Sequence, residues 1–286
     1  MLVAALIAGA AVAHATWNVA IKRAGTSGAG FLWSGIVVGA IVFAPFGIAS
    51  LLSTGADLWH WLGWAVVSGA LQVVYFLALQ RGYRLGDVSV VYPLARGTGP
   101  LLAVVLAIVV LGERPTWVGL LGAVVVVAGV LVIGLAGGLA RARDNRLGIV
   151  YGLVIGVLIA VYTLWDASAV TVGRMPPVGL YWESVVFQLL LLASPALRRW
   201  PDTLRTARTH WLAVLLFGIL APLAYILILV AIQLAPVSIV APAREVSVVL
   251  VGLAGWLLFR EPHPVQRLVG AGVVLAGVAL LAASSQ

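Results

Sequence analysis

Of the 286 residues only 9% are charged and 63% are hydrophobic, whereas soluble domains carry about a quarter charged residues and no single core could bury so much apolar surface. A crossing needs about 20 apolar residues, so the length fits about ten membrane helices and excludes a sizeable soluble domain. The chain has no cysteine, which excludes disulfides and thiolate sites, and its net charge of +8 is not a nucleic-acid footprint, because most of the basic residues flank apolar runs and set topology.

Apolar runs predict helices at 2–21, 30–52, 60–80, 88–111, 116–138, 147–168, 177–197, 210–231, 236–259 and 265–283. The first, "MLVAALIAGAAVAHATW", ends in small residues like those of a cleavage site. It lacks a basic start and is followed by Lys22 and Arg23, so it is expected to be a retained helix. Within it His14, Trp17 and Asn18 are spaced i, i+3, i+4 and share one face. The third helix carries Tyr75.

The fourth helix contains "VYPLARGTGP", with Tyr92 and Arg96. An arginine at the centre of a bilayer costs about 2.5–3.5 kcal/mol on insertion scales, so it faces a cavity or a partner. Arg96 is therefore expected inward, either lining a cavity or tied to backbone carbonyls. Pro93 and Pro100, with Gly97 and Gly99 between them, predict a bent or loosened helix. Glu113 in "LGERP" is expected to serve the turn.

Gly148, Gly152 and Gly156 form a stripe for close helix packing. Tyr162, Trp165 and Asp166 share a face of the sixth helix. Trp182 and Glu183 lie in the seventh with Tyr181, Tyr225 lies in the eighth, and Arg244 is followed by Glu245 in the ninth. Single aromatics also serve as interface anchors. The two intramembrane arginines can pair with two of the three acids Asp166, Glu183 and Glu245. One carboxyl is left over to exchange a proton, with Glu183 and Asp166 as the candidates.

The two halves repeat. Trp17 and Asn18 return as Trp165 and Asp166, 148 positions on (17 to 165). Arg96 returns as Arg244 and Glu113 as Glu261 at the same offset. Ser89 and Pro93 return as Ser238 and Pro242 at 149 (93 to 242), a one-residue difference between proline and arginine. Five is odd, so the second copy must run opposite to the first, as in secondary transporters with midplane sites. The expected fold is an all-α polytopic membrane protein of ten transmembrane helices, arranged as two inverted five-helix repeats over 1–140 and 147–286.

The segments "VYPLARGTGPLLAVVLAIVVLGERPTWVGLLGAVVVVAGVLVI" and "VAPAREVSVVLVGLAGWLLFREPHPVQRLVGAGVVLAGVALL" resemble the repeat ends of the EamA-like branch of the drug/metabolite transporter superfamily. "FREP" stands in the second where the first has "LGERP". The resemblance spans the chain and implies ten helices, a central cavity and transport of small organic solutes. No His/Glu spacing suits a metal, no Walker lysine exists because Lys22 is the only lysine, and no catalytic pair or cofactor motif is present, so an enzyme is not expected.

The function expected is secondary active export of metabolites or amphipathic compounds by alternating access, with a solute and protons as partners besides the bilayer. The alternative is a flippase-type carrier of lipid-linked solutes or a facilitative exchanger. The location expected is the bacterial plasma (inner) membrane. Substrate contacts are expected from His14, Trp17, Asn18, Tyr75, Tyr92, Arg96, Tyr162, Trp165, Asp166, Trp182, Glu183, Tyr225 and Arg244.

Connections after odd-numbered helices hold Lys22, Arg23, Arg81, Arg84, Arg141, Arg143, Arg146, Arg198, Arg199, Arg205, Arg208 and Arg260, with Arg267 nearby. Those after even-numbered helices hold only Arg114 and Arg174. The positive-inside rule then puts the odd connections in the cytoplasm and both termini outside, whereas the family resemblance implies both termini inside. Cargo and oligomeric state are not written in these motifs.

Overall fold

A computed structural model describes residues 1–25, 28–53, 58–134, 145–260 and 263–284. These form helices α1 (Leu2–Ala24), α2 (Ala29–Ser53), α3 (Leu58–Leu85), α4 (Val88–Val110), α5 (Trp117–Gly134), α6 (Arg146–Thr171), α7 (Pro177–Arg198), α8 (Trp200–Thr209), α9 (Trp211–Leu234), α10 (Val237–Ala243), α11 (Val246–Phe259) and α12 (Pro264–Ala283). Among the described residues ten segments are long and apolar enough to cross a membrane, with α10 and α11 together making the ninth. Each expected apolar run is helical, the ninth as two helices, with ends displaced by at most five residues where the structure describes them. Arg141, Arg143 and Glu261 lie outside the described residues.

The halves pack in matched pairs. α1 lies against α9 as α6 lies against α3, α4 against α6 as α11 against α1, and α3 against α7 as α9 against α2. α2 packs on its own counterpart α7, and α5 on its counterpart α12. Glycines set the closest approaches. A Cβ on Gly122 would meet the Gly277 carbonyl oxygen at 2.9 Å, and one on Gly270 would meet the Gly129 carbonyl oxygen at 2.9 Å. The two glycines of α5 and the two of α12 are again 148 apart (122 to 270, 129 to 277). The stripe at Gly152 and Gly156 does the same for α6 and α4, because a Cβ at Gly156 would collide with the Thr98 hydroxyl and one at Gly152 would lie 2.7 Å from Leu94 Cβ. Gly156→Ala is therefore expected to lower the stability of the purified protein by about 1–3 kcal/mol, read as a fall in its melting temperature.

The connection at 198–209 contains a short helix, α8, that no apolar run marks. Pro201 opens it, Asp202 lies in its first turn, and Thr203 buries its side chain against Gly30 of α2. α4 runs unbroken through Pro93 and Pro100. The break falls in the second repeat instead, between α10 and α11, where Ser247 N–H bonds to Arg244 O and Val248 N–H to Glu245 O, three residues back. One residue separates Pro242 from Arg244, whereas two separate Pro93 from Arg96. A 3₁₀-like turn rises about 2.0 Å per residue against 1.5 Å in an α-helix. Tightening there lets the shorter segment hold its arginine in register.

The fourth helix of the first half is anchored at its exit. Glu113, after α4, accepts hydrogen bonds from the backbone N–H groups of Val237 (2.7 Å) and Ser238 (2.9 Å), the first turn of α10. A carboxylate there satisfies orphan donors and faces the positive end of the helix dipole. The exit of α4 thus meets the entrance of α10, and Glu113 has the capping role expected of it.

Candidate functional site

A cavity of ≈ 770 Å³ lies between the halves. α1 contributes His14, Trp17 and Asn18, α3 contributes Gln72 and Tyr75, α4 contributes Tyr92 and Arg96, α6 contributes Tyr162, and α9 contributes Phe217 and Tyr225. Arg244, at the junction of α10 and α11, completes it. Nine of the residues expected at the site are thus brought to one space, from both repeats. The 3.6-residue period explains the α1 trio, since positions i, i+3 and i+4 present one face.

The centre is an ion cluster. Arg96 Nη1 donates to both carboxylate oxygens of Glu245, at 3.3 and 3.4 Å, and its Nη2 lies 3.1 Å from His14 Nε2. Guanidinium nitrogens only donate, so His14 Nε2 accepts and the proton of the neutral ring is on Nδ1. Arg244 Nε stands 3.4 Å from the same Glu245 oxygen. Glu245 is fully buried while the two arginine side chains stay 19% and 14% exposed. One carboxylate therefore sits behind two guanidiniums that reach the cavity. Among the described residues Arg96 makes no hydrogen bond to a backbone carbonyl. Its partner is a carboxylate in the other repeat, and the Tyr92 ring lies 5.7 Å from its guanidinium carbon.

Asp166 stands one layer behind the wall and is 1% exposed. The Tyr225 hydroxyl donates to its Oδ2, as does Gln72 Nε2 at 3.5 Å, while Oδ1 has no hydrogen-bond partner among the described residues. Gln72 also receives a bond from Gln188 (3.1 Å) and donates to Ser68 (3.0 Å). Asp166 thus connects to the cavity only through Tyr225 and Gln72. Glu183 is 7% exposed in α7, with Oε2 likewise unpartnered, and it is not part of the lining.

Trp165 and Trp182 tie helices together rather than lining the cavity. Trp165 Nε1 donates to the Trp64 carbonyl (2.9 Å) and stacks on the Trp64 ring (centroids 4.5 Å apart), joining α6 to α3. Trp182 Nε1 donates to the Ala40 carbonyl (3.0 Å), joining α7 to α2.

The two ends of the cavity differ. Its lining continues through Ile21, Tyr83 and the exposed Gly28 and Arg84 to the end carrying the odd connections. Toward the other end the Trp64–Trp165 stack lies beside Trp61, Met175 and Leu180, which are 3%, 0% and 0% exposed. Trp17, the repeat equivalent of Trp165, lies at the open end with its ring centroid 5.4 Å from that of Phe217, and both line the cavity. The Trp17 indole N–H is buried there with no acceptor among the described residues, whereas Trp165 has one.

Gln72 was missed by the sequence reading although it and Gln80 are the two amides within the third apolar run, and both line the cavity. Phe217 carried no signal, being one apolar residue among many. Among the described residues no group of three or more His, Cys, Asp or Glu side chains could hold a metal ion.

Among the described residues, ten apolar segments in two matched halves around a cavity lined by aromatic rings and arginines define an integral membrane protein. The chain belongs to the EamA-like transporter family, whose model matches residues 1–135 and again 146–283. A crystal structure titled only "Crystal structure of protein" shares the fold with a TM-score of 0.76 at 19% identity, covering 97% of this chain and 95% of that one. None of the curated proteins compared with it matches its sequence.

Proposed function

We propose that this protein is a secondary transporter that exports small organic solutes by alternating access between its two inverted repeats, in the bacterial plasma (inner) membrane. The observation that carries this reading is the asymmetry of two ends built around the repeat-equivalent Trp165 and Trp17. Trp64–Trp165 closes one end with an indole hydrogen bond, while Trp17–Phe217 stands open at the other. Exchange of those two arrangements would carry the central cavity from one side to the other. Under the positive-inside assignment the open end faces the cytoplasm, where an exporter loads. Asp166, beneath the cavity floor, is the better-placed proton carrier, and Glu183 is the second candidate.

The test compares solutes released by cells with and without the protein. Faster release of at least one small solute, stopped by collapsing the proton gradient, is the expected result. Unchanged release across the whole metabolite profile would count against export.

A further inference from the structure

We infer that the cavity takes an organic anion: the Arg244 guanidinium binds a solute carboxylate, and the aromatic body of that solute lies between the Trp17–Phe217 and Tyr75–Tyr162 pairs. The inference rests on reading this cavity as the transport site.

Charge is the first argument. Arg84, Arg96 and Arg244 line the cavity, and no aspartate or glutamate does among the described residues. Glu245 is 0% exposed and its charge is shared by Arg96 and Arg244. Asp166 is screened by Tyr225 and Gln72, which occupy its Oδ2. A solute ammonium would therefore meet guanidiniums and aromatic rings without a carboxylate within reach, whereas a solute carboxylate would find a donor in excess.

The division of labour between the two arginines is the second argument. Arg96 is committed, with Nη1 on both Glu245 oxygens and Nη2 on His14. Arg244 approaches Glu245 only through Nε, without hydrogen-bond geometry, and its Nη atoms have no protein acceptor among the described residues. A guanidinium held at Nε by a buried carboxylate presents its Nη donors for a planar, forked contact.

The walls supply the remaining selectivity. Tyr75 and Tyr162 pack at 5.5 Å and Trp17 and Phe217 at 5.4 Å, and all four rings line the same cavity as Arg244. Aromatic bodies stack on such surfaces in offset or edge-on contact.

The test uses the full chain purified in detergent and three probes with the same phenyl body: 3-phenylpropanoate (anion), phenylalanine (zwitterion) and 2-phenylethylamine (cation). Tryptophan fluorescence titration is expected to show 3-phenylpropanoate binding about tenfold or more tightly than either of the others, and Arg244→Gln to remove that preference. Arg244→Lys retains the charge and serves if the glutamine variant does not fold. It should weaken 3-phenylpropanoate binding while keeping the order of the three. Equal or tighter binding of the cation or zwitterion overturns the inference, as does binding of no probe, or lysine and glutamine variants that bind like the unsubstituted protein. Solute release by cells reports the transport reading separately, so either can fail alone.

Discussion

Glu245→Gln is expected to be among the most damaging single substitutions in this chain. It leaves Arg96 and Arg244 side by side without the carboxylate they share. Removing one member of a buried ion pair costs about 3–5 kcal/mol, because the partner charge stays buried and uncompensated. Two partners are stranded here. Arg96 also holds His14, so the loss extends from the α10–α11 junction through α4 to α1. The purified variant should melt well below the unsubstituted protein. Arg96→Gln in the same chain should recover part of the loss by removing one of the stranded charges, a coupling visible in a double-mutant cycle. Equal melting temperatures for Glu245→Gln and the unsubstituted chain would show that the cluster contributes nothing to stability.

Asp166→Asn is expected to separate binding from energy coupling. The amide can still accept from Tyr225 and Gln72, so the floor of the cavity keeps its hydrogen bonds. It cannot release a proton. In proteoliposomes, solute counterflow should persist while accumulation driven by a pH gradient falls to background. Glu183→Gln should leave accumulation largely intact if Asp166 is the carrier, since Glu183 is not among the residues lining the cavity. Gradient-driven accumulation that survives both substitutions would remove proton coupling through these acids and favour facilitated diffusion or exchange.

Much of the architecture was legible because a membrane imposes length and hydrophobicity on every crossing. The 148-residue spacing also announced the pairing of halves, which the reciprocal glycines of α5 and α12 repeat at atomic contact. Arg96 was readable as inward-facing because lipid leaves an arginine no other place. Its partner was not: Glu245 follows Arg244 directly, and only the tightened turn between α10 and α11 brings that carboxylate to an arginine of the opposite half. Trp165 was matched to Trp17 by sequence, yet the two play different parts because one end of the cavity is closed and the other open. A repeat gives equivalence of position, whereas a conformational state breaks it. The helix in the connection at 198–209 was not legible, because twelve residues with four arginines do not resemble a crossing. It is held by packing on α2 rather than by length.

The central claim, that the two ends open in alternation, is tested most directly by a pair of single-cysteine reporters in this cysteine-free chain. Ile21 lines the open end, and its repeat equivalent Ala169, 148 positions on (21 to 169), is 0% exposed behind the Trp64–Trp165 stack. Cysteine at 21 should react quickly with a water-soluble maleimide, and cysteine at 169 slowly. Adding Trp165→Ala removes the indole bond to Trp64 and should shift the population toward the opposite state. Labelling at 169 then rises as labelling at 21 falls. Rates that rise together at both positions, or that do not change at either, would contradict alternating access.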